Sequence, residues 1–177
     1  MKRILFAVPA LLMLSACSTA PAQASVSVPD IPFRADAKLS YNGIDLTAEI
    51  KRTGAGKWEL SVTGPYRLEG LEMELCGEET RLSMFGLEAG ADIGEDAVSA
   101  AKAIASAYDA AIRASGSFTA TDEGYTMAGT CPLGEFKIAL GEDGTPLAFS
   151  CDTAGLSVEL SGFEELPKEE IEAEIVE

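Results

Sequence analysis

Between Phe33 and Leu160, apolar side chains recur at every second position in short runs cut by turn residues. Phe33, Ala35, Ala37, Leu39 and Tyr41 alternate with polar residues up to Asn42-Gly43, a strong two-residue hairpin signal. Ile44, Leu46, Ala48 and Ile50 resume the alternation, and Thr53-Gly54-Ala55-Gly56 turns the chain again. Trp58, Leu60 and Val62 form a third run, which Gly64-Pro65 ends. Leu71, Met73 and Leu75 lead to a turn at Gly77-Glu78-Glu79, and Leu82 to Leu87 returns. A chain patterned this way folds as an antiparallel meander with one apolar face and one charged face.

The period changes once. Asp96 to Ser115 is Ala-rich and free of Gly and Pro, and Val98, Ala101, Ile104, Ala105, Tyr108, Ala111 and Ile112 recur at helical spacing. Glu95 and Asp96 suit the positive end of a helix, Arg113 suits the negative end, and Gly116 is a natural stop. Strands then resume: Phe118 and Ala120, Tyr125 to Cys131, Phe136 to Leu140, Leu147 to Cys151 and Leu156 to Leu160, separated by turns such as Gly141-Glu142-Asp143-Gly144. The fold class this predicts is mainly β (α+β). It is a curled antiparallel sheet, or half-barrel, of about ten strands with one central helix packed on its concave face.

Simple geometry gives that arrangement a consequence. About ten strands spaced ~4.8 Å apart, each ~20 Å long, present on the order of 900 Å² of apolar face. A twenty-residue helix ~30 Å long and ~10 Å wide covers roughly 300 Å². Either the sheet curls to cover itself, or it leaves an apolar cavity beside the helix.

The first seventeen residues carry a different message. Lys2 and Arg3 precede an apolar stretch from Ile4 to Leu14, shorter than the roughly 20 residues a membrane span needs. Leu14-Ser15-Ala16-Cys17 resembles the bacterial lipobox. That resemblance implies cleavage before Cys17 and lipidation of its sulfur and amine. Each acyl chain contributes about 0.8 kcal/mol per buried methylene, so two or more give a stable anchor. The expected division is a signal peptide at 1–16, a lipidated Cys and flexible Ser/Ala/Pro linker at 17–32, a half-barrel domain at 33–163 and an acidic tail at 164–177. The protein is then exported and held on the outer face of the cytoplasmic membrane, or elsewhere in the envelope if there are two membranes.

Composition removes several functional classes. Thirteen basic residues stand against 29 acidic ones, for a net charge of -16, and Lys2 and Arg3 leave with the signal. Such a chain repels nucleic acid and anionic lipid headgroups. It contains no histidine, which removes the Ser-His-Asp and Cys-His arrangements and most zinc sites. The adjacent carboxylates Glu78-Glu79, Asp122-Glu123 and Glu142-Asp143 fall in turns, where neighbours point apart, and the spacing of a calcium loop is missing. We therefore expect no enzymatic activity, no cofactor and no metal. Once Cys17 is assigned to lipid, Cys76, Cys131 and Cys151 allow one disulfide with one thiol left over. Cys131 with Cys151 is the preferred pair, and three buried free thiols are the alternative.

The order of elements, together with Gly64-Pro65-Tyr66-Arg67-Leu68-Glu69-Gly70-Leu71 and Gly144-Thr145-Pro146-Leu147, resembles the lipoprotein-carrier and lipoprotein-sorting (LolA/LolB-like) fold across residues 33–163. It is also similar to the acyl-lipid-carrying surface lipoproteins of mycobacteria. Members of these families are incomplete barrels with helical cover over an apolar cavity. This chain departs from the carriers in having one central helix where their lid has more, and its lipobox places it nearer the anchored members. The resemblance implies a lipid or acylated protein as ligand. Leu39, Trp58, Leu60, Leu75, Met84, Ile104, Tyr108, Phe118, Met127, Phe136 and Phe149 are the candidate lining residues, or else plain core. The alternative function is a surface interaction module with a closed core.

Overall fold

A computed structural model describes residues 26–89, 95–114 and 118–167. Six strands precede the helix: β1 (Phe33–Tyr41), β2 (Ile44–Gly54), β3 (Lys57–Gly64), β4 (Leu71–Cys76), β5 (Glu79–Met84) and β6 (Leu87–Ala89). Helix α1 (Glu95–Arg113) follows. Then come β7 (Thr119–Thr121), β8 (Gly124–Cys131), β9 (Gly134–Leu140), β10 (Pro146–Cys151) and β11 (Leu156–Glu165). The expected mainly β class and single helix hold. The expected return run Leu82–Leu87 is two strands instead. Phe85 and Gly86 both take positive φ, 53° and 77°, and reverse the chain between β5 and β6.

The 11 strands form one antiparallel sheet in the order β6-β5-β4-β3-β2-β1-β11-β10-β9-β8-β7. The first and last strands meet in its middle, with Ala37 opposite Leu160 and Leu39 opposite Val158. The two free edges, β6 and β7, are three residues each and flank the helix in sequence. Neighbouring strands rotate by ~20–25°, so across this many strands the sheet turns roughly 200° and its arms come to face each other. Helix α1 lies between them and touches β3 and β4 of one arm and β8 to β11 of the other.

That sandwiching explains the Ala-rich helix. The expected apolar face is buried at Ala101, Ile104, Ala105, Tyr108 and Ala111. Ala100, Ala103, Ala107 and Ala110 are buried as well, so strands close in on more than one side. Under the helix the rings interlock. Phe33 lies 5.4 Å from Tyr108, Trp58 lies 5.3 Å from Tyr108 edge-on, and Phe149 meets Tyr108 at 5.9 Å. Each buried large side chain contributes ~1.5–3 kcal/mol, and aromatic pairs add up to about 1.5 kcal/mol.

Two boundaries differ from expectation. The linker was expected to run free to Pro32, but Val28 is buried, and the carbonyl of Pro29 accepts a hydrogen bond from the Tyr108 hydroxyl at 3.3 Å. The acidic tail was expected after Phe163, but β11 runs to Glu165, and buried Leu166 donates its N–H to the Pro32 carbonyl at 3.0 Å. Val28 joins the core cluster from the segment before β1, and Leu166 is buried at the other end of the domain. Cys17 and the remainder of the signal and linker lie outside the described residues.

Arg52 fixes the helix to the sheet. It follows Ala48 and Ile50 at period two on β2, so its side chain enters the core and is 1% exposed. Its Nε donates to Asp109 Oδ1 at 3.1 Å, its Nη2 meets Asp30 Oδ1 at 2.8 Å, and its Nη1 donates to the Ile31 carbonyl at 3.2 Å. The guanidinium also lies 5.8 Å from the Trp58 ring and 5.7 Å from the Tyr108 ring. The other oxygen of Asp109 accepts the Gly56 N–H at 2.7 Å, which ties the β2–β3 turn to the same carboxylate.

Removing one partner of a buried ion pair costs ~3–5 kcal/mol, and a domain of this size shifts its melting point ~2–4 °C per kcal/mol. Asp109→Ala should therefore lower the midpoint by roughly 10 °C, read from fluorescence of Trp58, the single tryptophan. The Arg52→Leu/Asp109→Leu pair should recover most of that loss. An Asp109→Ala protein melting within about 2 °C of the parent contradicts the assignment of this pair as the lock.

Cys76 is exposed, Cys131 half-buried and Cys151 buried, and all three are free thiols in this structure, so the preferred Cys131–Cys151 disulfide is not formed here. Burial raises the pKa of the Cys151 thiol, and neighbouring Cys131 pushes it the same way while the Ala154 backbone opposes. The folded chain thus holds this proton more tightly than the unfolded chain. The associated stability is complete below the ordinary thiol range and is lost as pH climbs through the raised value. Iodoacetamide at neutral pH should label Cys76 first and Cys151 last in peptide mapping, and equal labelling rates at the two would refute this ordering.

Candidate functional site

The space between sheet and helix is occupied by side chains. Of the eleven candidate lining residues, Leu39, Trp58, Leu60, Leu75, Ile104, Tyr108, Met127, Phe136 and Phe149 are buried in one continuous cluster. Met84 is half-buried at the end of β5, and Phe118 is half-buried just before β7. The structure thus gathers most of the set into one interior and leaves two at its margins. The indole N–H of Trp58 is buried and meets no hydrogen-bond acceptor among the described residues. An unmade bond of this kind costs ~1–3 kcal/mol.

Open space begins beside the helix. A groove of about 550 Å³ runs along one side of α1, bordered by the β2–β3 turn, the β4–β5 turn and the β8–β9 turn. Ala55, Leu75, Ala105 and Leu133 give it apolar walls. Gly56 and Gly77 bring the first two turns together, with the Gly77 N–H donating to the Gly56 carbonyl at 2.9 Å. Lys102, Ser106, Asp109 and Arg113 recur at three- to four-residue spacing and so form one row of the helix facing the groove. Lys102 and Arg113 are exposed and Ser106 half-buried. Both oxygens of Asp109 are already engaged, by Arg52 and by Gly56, before any ligand arrives.

Of the eleven candidates, Leu75 borders this groove. Leu39 borders a second depression, of about 450 Å³, with Leu46 and Pro65. Met127 and Phe149 lie beneath a third, of about 660 Å³, on the outward surface with Thr126, Lys137 and Ser150. Neither of these two is lined by a residue of the helix.

Burial raises the pKa of the Tyr108 hydroxyl well above the ordinary phenol range, while Arg52 pulls the other way. Tyr108 is therefore a neutral donor to the Pro29 carbonyl. Exposed Asp143 is held below the usual carboxylate range by the Thr145 N–H, which donates to it at 2.9 Å. That carboxylate shapes the β9–β10 turn and stands apart from the groove. Among the described residues no group of three Cys, Asp or Glu is gathered as a metal site would require.

Arg52, Asp109 and Asp30 are not among the residues that the sequence pattern singles out. The signal was present for two of them. Period two continues from Ala48 and Ile50 to Arg52, and Asp109 sits four residues after Ala105 and three before Ile112. No local pattern brings Asp30 to Arg52, because their contact spans 22 residues.

No family model matches the chain, and no curated protein matches it. Among solved structures the chain is similar to an uncharacterized conserved protein from Thermus thermophilus. The identity is 11%, with 81% of this chain and 85% of that chain covered, at a TM-score of 0.43. It is also similar to a LolA superfamily protein from Nitrosomonas europaea, with 9% identity, 81% and 91% coverage, and a TM-score of 0.42. Both likenesses are distant.

Proposed function

We propose that the protein is an exported, non-enzymatic lipoprotein, anchored to a membrane through Cys17, whose half-barrel binds a hydrophobic ligand, either a lipid or an acylated protein. The observation that carries this reading is the unclosed sheet. β6 and β7 do not pair with each other, and a groove with apolar walls opens along the helix that lies between them in the chain. Its volume falls in the ~300–1,000 Å³ range of small-molecule sites. The buried candidates on the strands facing α1, such as Leu60 and Phe136, are surface that a longer ligand would meet by displacing the helix.

Purified full-length protein extracted with neutral organic solvent should release acyl lipid in roughly equimolar amount. The chains bound covalently at Cys17 stay behind, so the extract reports the cavity alone. A second reading rests on the interlocked rings of Phe33, Trp58, Tyr108 and Phe149. A core filled in this way suits a tethered interaction module, and an extract free of lipid selects that reading over ours.

The anchor has its own test. Cys17→Ser should move the protein from the membrane fraction to the soluble fraction. A substituted protein that stays with the membrane to the same extent removes the lipidation assignment without touching the groove.

A further inference from the structure

Two of the chain's 13 basic residues, Lys102 and Arg113, border the groove, in a protein whose net charge is -16. Both are exposed, and no ion pair involves either of them among the described residues. They stand eleven positions apart on one side of α1, which places them ~16 Å from each other along the helix axis. Between them lie the half-buried hydroxyl of Ser106 and the apolar surface of Ala105, with Leu75 and Leu133 across the groove. Asp109, in the same row, has both oxygens engaged, one by Arg52, which is shared with Asp30, and one by the Gly56 N–H, so the row carries two cations against one carboxylate that is already bonded. The exposed carboxylate in the lining is Glu78 on the opposite wall, so the helix side of the groove is cationic.

From this we infer that the groove selects an acyl chain carrying an anionic head, a carboxylate or a phosphate. Lys102 and Arg113 attract the head, and Leu75, Ala105 and Leu133 receive the tail. The inference rests on the proposed hydrophobic-ligand function and adds the charge of the ligand. The acidic surface elsewhere repels such a molecule, so these two cations decide where it settles. An amphiphile with a neutral head gains only the contact with the apolar walls. Attraction between exposed charges is screened by salt, and binding should weaken as ionic strength rises past ~0.1 M.

Calorimetric titration of the full-length protein with dodecanoate, dodecyl phosphate and dodecyl maltoside, each below its micelle concentration, tests the proposal. The two anionic probes should bind at least about tenfold more tightly than the neutral one. Binding by only one of them identifies the head as carboxylate or as phosphate and supports the proposal either way. Lys102→Ala/Arg113→Ala should remove that preference while keeping the parent melting point, since both side chains project into solvent. Ser106→Trp, which fills the groove from its exposed side, should abolish binding of all three. Equal affinity for charged and neutral probes in the parent overturns the head selection and leaves acyl binding in place. Unchanged affinity in Ser106→Trp overturns the groove as the site. No binding of any probe overturns the hydrophobic-ligand function as well.

Discussion

One helix must share the apolar face of 11 strands, and the rest of the structure follows from how that shortage of cover is met. The sheet covers itself. Strand twist, accumulated over the whole layer, brings the arms round until α1 is held between them. This arrangement demands a helix of small residues, since strands approach it from both sides, and the chain supplies alanine at Ala100, Ala101, Ala103, Ala105, Ala107, Ala110 and Ala111. It also demands that the last strands be short, because a long exposed edge invites pairing with another chain. β6 and β7 have three residues each. The central strands β1 and β11, by contrast, are nine and ten residues long and pair along nearly their full length.

Placing a charge in such a core works only where every strong bond is made. Arg52 shows how. Its guanidinium gathers a carboxylate from the helix, a carboxylate and a carbonyl from the segment before β1, and the faces of two rings. A buried pair adds little net stability compared with an apolar replacement, but a misplaced helix would leave the charge unpaired. The pair therefore fixes position more than it adds stability. Sliding α1 by one turn would move Asp109 ~5.4 Å and strand both groups. Gly56, bound to the second oxygen of Asp109, sets the β2–β3 turn against the helix, and that contact forms one wall of the groove.

The architecture was legible because alternation and helical spacing are local signals. Phe33, Ala35, Ala37 and Leu39 point inward as period two requires, and the helix ends at Arg113 within two residues of the expected Ser115. The break at Phe85-Gly86 was missed because Phe85 reads as one more apolar strand residue, yet its backbone takes a left-handed turn and its ring lies 78% exposed. The candidate site was harder. Period two says that Trp58 and Leu60 face inward, but it cannot say whether another side chain or a ligand meets them. That depends on how far the sheet turns. The groove depends on three hairpin turns and the helix converging, and no stretch of sequence contains all four.

The location of the groove bears on how binding and stability can coexist in one small domain. A ligand bound deep under α1 would have to part Tyr108 from Phe33, Trp58 and Phe149 and pull Asp109 from Arg52. Each of these contacts also holds the fold, so deep binding would spend much of the domain's stability, ~5–15 kcal/mol in total. A ligand lying beside the helix meets Leu75, Ala105 and Leu133 from the solvent side and disturbs none of those contacts. Evolution can then change the residues of the groove, Lys102 and Arg113 among them, without weakening the lock beneath. The same Asp109 serves both arrangements. It closes the core through one oxygen and positions the β2–β3 turn through the other, which makes the helix at once the plug of the half-barrel and one wall of its groove.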